Sequence, residues 1–88
     1  MGKPTEEELE TALAAARYLR ESGKDSRYLA KTLLNHHYRL GLLEEVLRTA
    51  RRYINTGQSS REYRELMRAI KKAEEASRPP GEHPEVPT

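Results

Sequence analysis

From Leu29 to Ile54 the residues Leu29, Leu33, His36, Leu40, Leu43, Leu47, Ala50 and Ile54 recur at alternating intervals of four and three. Only a helix returns side chains at that spacing to one side, and an apolar row of this kind is a seam for a neighbouring helix. The same period places Leu9, Ala12, Leu13, Ala16 and Leu19 on one helix, and Tyr63, Leu66, Met67, Ile70 and Ala73 on another. The fold class is therefore all-α.

Helix ends are marked by residue types with known capping chemistry. Thr5 with Glu8, and Ser59 with Glu62, have the spacing of capping boxes, and Glu6, Glu7 and Glu8 sit where the helix dipole favours acid. Gly23 and Gly57 suit left-handed caps, Asp25 or Ser26 suits the start of the second helix, and Arg78-Pro79-Pro80-Gly81 ends the last one. Gly41 falls inside the seam. Arg39 and Leu42 around it suit a helix end, and Glu44 with Glu45 suit a new start. These signals predict a small helical bundle of two tandem αα-hairpins, four helices with a break or kink at Gly41. The alternative is three helices with one long central helix. Residues 1–78 are expected to form a single helical domain, and the Pro-rich acidic tail 79–88 to be disordered.

The two turns, Ser22-Gly23-Lys24-Asp25-Ser26-Arg27 and Thr56-Gly57-Gln58-Ser59-Ser60-Arg61, lie 34 residues apart. The same offset pairs Leu9 with Leu43, Leu13 with Leu47 and Ala16 with Ala50, the pattern of a duplicated helical hairpin. The period equals that of tetratricopeptide repeats, but their Trp, Gly, Tyr and Pro positions are not matched.

Composition limits the core. The chain has 88 residues and no Cys, Phe or Trp, so its interior rests on Leu, Ala, a few larger aliphatics and the edges of Tyr rings. Disulfides and thiolate metal sites are excluded, and oligomerisation is the remaining way to enlarge so small a core. A homodimer along the seam is expected. Ala30 and Leu34 lean to one flank of it, and Leu42, Val46 and Tyr53 to the other, which leaves Leu40, Leu43 and Leu47 for a partner.

Catalytic and metal chemistry find no support in the residue pattern. His36 and His37 are adjacent and point about 100° apart on a helix, whereas paired zinc ligands from one helix sit four apart. His36, on the seam, is expected as a hydrogen-bonded interior histidine. Gly23-Lys24-Asp25-Ser26 lacks the hydroxyl residue, the first glycine and the preceding strand of a phosphate loop. Glu44-Glu45 and Glu74-Glu75 are adjacent pairs that do not converge on a substrate. No enzyme, cofactor, metal or small-molecule substrate is expected. No segment is apolar for the length of a membrane span, and the expected location is cytoplasmic.

Charge is distributed unevenly, with acidic ends around a basic middle. Arg48, Arg51 and Arg52 of the central region and Arg61, Arg64, Arg68, Lys71 and Lys72 of the last helix form a candidate basic face. All five Tyr stand beside an Arg. The reading that follows is a small non-enzymatic protein–protein interaction or adaptor module acting through helix faces. Nucleic-acid or ribonucleoprotein binding through the Arg/Lys stripe is the alternative.

Overall fold

Three helices account for most of residues 2–79, the part of the chain that the computed structural model describes. α1 spans Glu6–Glu21, α2 spans Leu29–Asn55 and α3 spans Ser60–Ala76, and among the described residues there is no strand. The tail expected from residue 79 onward lies outside the described residues apart from Pro79.

The caps follow from the residues that mark them. The Thr5 hydroxyl accepts the Glu8 N–H at 3.1 Å, and the Glu8 carboxylate accepts the Thr5 N–H at 2.8 Å. That backbone donor, together with the Thr5 hydroxyl contact, holds the Glu8 carboxyl below its ordinary value. α1 and α2 end alike. The Ser22 and Lys24 N–H groups donate to Tyr18 O and Leu19 O, and the Thr56 and Gln58 N–H groups donate to Arg52 O and Tyr53 O at the equivalent places 34 residues on. Gly23 and Gly57 between them take φ of +70° and +74°, a backbone region that penalises any side chain.

Beyond these glycines the two turns diverge. Ser59 caps α3 directly, its hydroxyl accepting the Glu62 N–H at 3.4 Å, with no return bond from the Glu62 carboxylate among the described residues. Half of the expected capping box is thus formed. In the first turn the chain makes an extra turn, closed by the Tyr28 N–H to Asp25 O at 3.2 Å, before α2 begins. The Asp25 carboxylate, its side chain only 4% exposed, reaches forward to accept the Ala30 and Lys31 N–H groups at 2.9 Å each, and Arg20 lies 3.3 Å away. It satisfies two orphan donors of α2 while Tyr28 sits at φ +61°. Burial works to raise the Asp25 pKa, but the Ala30 and Lys31 N–H groups and Arg20 outweigh it and hold the carboxyl below its ordinary value.

The expected break at Gly41 does not occur. α2 is one helix of 27 residues, so there are three helices and not four, in the arrangement with a long central helix. The physical reason is that nothing at Gly41 ends a helix. It has no positive φ, and a Cβ built on it would meet nothing within 4 Å. Its flexibility costs about 1 kcal/mol relative to alanine, which an uninterrupted hydrogen-bond ladder tolerates.

Two compact units divide inside α2, between Tyr38 and Arg39. In the first, Leu13 and Ala16 of α1 and Ala30 of α2 are buried, with Leu33 and Leu34 half-buried. In the second, the C-terminal part of α2 and α3 form an antiparallel hairpin, joined by Arg52 to Glu65 near the turn and Arg39 to Ser77 at the far end. Ala69, Ala73 and Thr49 are its buried residues, and the Thr49 hydroxyl is satisfied by Glu45 O and Val46 O of its own helix.

Two outcomes test this description. Gly41→Ala should raise stability by about 1 kcal/mol, a Tm increase of roughly 4–8 °C; a decrease would mean that Gly41 bends the helix. Asp25→Asn should cost stability at neutral pH. Because the folded Asp25 pKa is lowered, the wild-type advantage is complete above the unfolded value of about 3.9 and is lost as pH falls through the folded value. A gap between the two proteins that stays constant into acid would contradict the capping role.

Candidate interaction face

In the hairpin of α2 and α3 the two helices meet along small and half-buried residues. Leu42, Val46 and Tyr53 of α2 and Leu66, Ala69 and Ala73 of α3 are buried or half-buried, and Tyr53 packs against Tyr63 with ring centroids 5.8 Å apart. No side chain among the described residues is completely enclosed. The larger aliphatic groups lie instead along one side of the pair.

That side is apolar. Leu40, Leu43, Leu47 and Ile54 of α2 are 50–66% exposed, and Tyr63 and Met67 of α3 are 49% and 45% exposed. Leu43 and Ile70 line one shallow hollow between the helices, with Val46 and Ala73 at its floor and Glu74 and Ser77 at its end. The opposite side of the hairpin is polar: its hollow is lined by Gly41, Glu45, Arg52, Glu65, Arg68 and Lys72 among others. The hairpin therefore has one greasy side and one charged side, divided by the line of α2–α3 contact.

The seam residues divide in the same way. Leu29, His36, Leu40, Leu43, Leu47 and Ile54 are exposed, while Leu33 and Ala50 are half-buried. His36 is thus not an interior histidine; the side of α2 used inside the first unit is the one carrying Ala30, Leu33 and Leu34, and His36 points away from it. The row Tyr63, Met67 and Ile70 on α3 is a candidate that the seam on α2 does not reveal. Its signal is a second four-three row shifted by one residue from Glu62, Leu66, Ala69 and Ala73.

The basic residues are not one uniform surface. Arg48 pairs with Glu45, and not with Glu44 as its spacing also allows. Glu65 holds Arg52 at 3.3 Å across the hairpin and Arg61 at 3.6 Å on its own helix. Among the described residues Arg51, Arg64, Arg68, Lys71 and Lys72 make no ion pair. Arg52, Arg68 and Lys72 share the polar hollow, whereas Arg48 and Arg51 border Leu47 and Asn55 on another part of α2. Exposed pairs of this type contribute at most about 1 kcal/mol, so they tidy the charge without holding the fold. Among the described residues no three His, Asp or Glu side chains gather as metal ligands would, and no helix is long and apolar enough to cross a membrane.

Comparison with protein-family profiles, with curated proteins and with solved structures finds no match to this chain.

Adjacent residues on α2 should separate the two roles. Leu47→Lys should keep most of the helicity, because Leu47 is 60% exposed within the single chain. Val46→Lys should unfold or strongly destabilise the hairpin by placing a charge against α3. Equal loss of helicity in both, measured by circular dichroism, would contradict the assignment of faces.

Proposed function

We propose that the chain is a small, non-enzymatic, cytoplasmic protein–protein interaction module that works through the apolar side of its α2–α3 hairpin. The observation that carries this reading is the inversion of ordinary burial. The buried positions of the hairpin are two alanines and a threonine, while Leu40, Leu43, Leu47, Ile54, Tyr63 and Met67 are 45–66% exposed. Contiguous apolar surface of this kind in a soluble chain marks an interaction site, and its aromatic and aliphatic mixture suits helix-to-helix contact with a protein. A polar opposite side, with Glu65 paired to Arg52, fits a module that presents only one apolar face.

Nucleic-acid binding is the second reading, favoured by Arg64, Arg68, Lys71 and Lys72, which have no acidic partner among the described residues. It engages the outer face of α3 and leaves the exposed aliphatic groups unexplained.

Photo-crosslinking in cells, with a benzophenone side chain placed at Met67 or at Lys72, discriminates between them. The interaction reading expects discrete protein adducts from position 67 and none from position 72. Adducts from position 72 alone, removed by nuclease, would favour the alternative, and no adduct at position 67 would overturn the proposal.

A further inference from the structure

The number of helices that cover the apolar side can be read from the angles between rows. On α2 the inward row is Leu42, Val46, Thr49 and Tyr53, and the outward row is Leu43, Leu47, Ala50 and Ile54. On α3 the inward row is centred on Leu66, Ala69 and Ala73, and the outward row is Tyr63, Met67 and Ile70. At about 100° per residue, the outward row lies about 100° from the inward row on both helices, since each is the inward row shifted by one residue. A single helix lodged between the two would need rows about 60° apart, as at the corner of a triangle. Rows at a right angle or more call for two further helices, one against each, which is the arrangement of a four-helix bundle. Both outward rows open to the same side, since Leu43 and Ile70 line one hollow.

The outward row of α2 is also self-complementary. Its intervals, four, three and four, read the same in both directions. An antiparallel copy therefore sets Leu43 opposite Ile54 of the partner subunit and Leu47 opposite Ala50 of the partner subunit, a large residue against a small one in the central layers. The same two-fold axis brings Glu44 beside the partner's Arg51, and it does so twice, as an isologous contact requires. Both charges are exposed and neither makes an ion pair within the chain among the described residues.

We propose that the apolar side of the α2–α3 hairpin is covered by a second copy of this chain, docked antiparallel about a two-fold axis to complete a four-helix bundle, in the register that pairs Glu44 with the partner's Arg51. This rests on the interaction reading above and names its occupant. The bundle would enclose Leu43, Leu47, Ile54, Met67 and Ile70, and would supply the large core side chains that one hairpin lacks.

Sedimentation equilibrium of the full chain tests it. The expected species has twice the 10.1 kDa chain mass. Glu44→Arg places like charges together at both symmetric contacts and should weaken self-association by on the order of tenfold or more. Arg51→Glu should do the same, and the doubly reversed chain, E44R with R51E, should regain the dimer. This rescue separates pairing across the interface from a folding defect. A monomer at all concentrations up to about 100 μM, above the range of an ordinary weak complex, overturns the proposal. If position 67 still crosslinks to other proteins, the interaction reading survives that result. A dimer indifferent to Glu44→Arg would overturn the register.

Discussion

Alanine at the α2–α3 contact is the constraint from which the rest of this hairpin follows. Ala69 and Ala73 are buried against α2 at positions where a globular helix would carry leucine. Small side chains let two helices approach closely, and the space between them is then filled by backbone and Cβ atoms. At Ala69 and Ala73 close approach leaves little room for a larger group, and Leu42, Val46, Tyr53 and Leu66 along the rest of the contact are only half-buried. Leu43, Leu47, Ile54, Met67 and Tyr63 are displaced to the edge, where they form a second apolar surface in place of a core. The thin interior and the open face are one feature seen from two sides.

Local chemistry made the helix ends legible. Thr5, Asp25 and Ser59 act as caps through side-chain oxygens, and Gly23 and Gly57 take the left-handed conformation that only glycine adopts at little cost. Each of these signals is carried by residues within a few positions of its effect. Gly41 misleads for the same reason. Taken with its neighbours it resembles a helix stop, but a stop also needs a positive φ or a competing hydrogen bond, and neither is present. The four-three row that continues unbroken through Gly41 matches the single helix Leu29–Asn55, because it keeps one helical period over many turns.

The face assignment needed three dimensions. From periodicity alone, Tyr63, Leu66, Met67, Ile70 and Ala73 make one apolar stripe on α3. The structure separates it into a centre with Ala73 buried and Leu66 half-buried and an exposed edge at Tyr63 and Met67. Which part turns inward depends on where α2 lies, and that information is not held in α3. Charge pairing had the same limit. The arc of basic residues on α3 follows from spacing, but the bond from Glu65 to Arg52 crosses 13 positions of sequence and depends on the hairpin being closed.

Intermolecular contacts between methyl groups give the most direct test that the displaced aliphatic groups form a shared core. A sample mixing carbon-13-labelled and unlabelled chain, examined by isotope-filtered NOE spectroscopy, reports only contacts between subunits. The account predicts cross-peaks linking Leu43 to Ile54 of the partner subunit and Leu47 to Ala50 of the partner subunit. Absence of any intermolecular cross-peak, or cross-peaks confined to Leu42 and Val46 on the inward row, would contradict it.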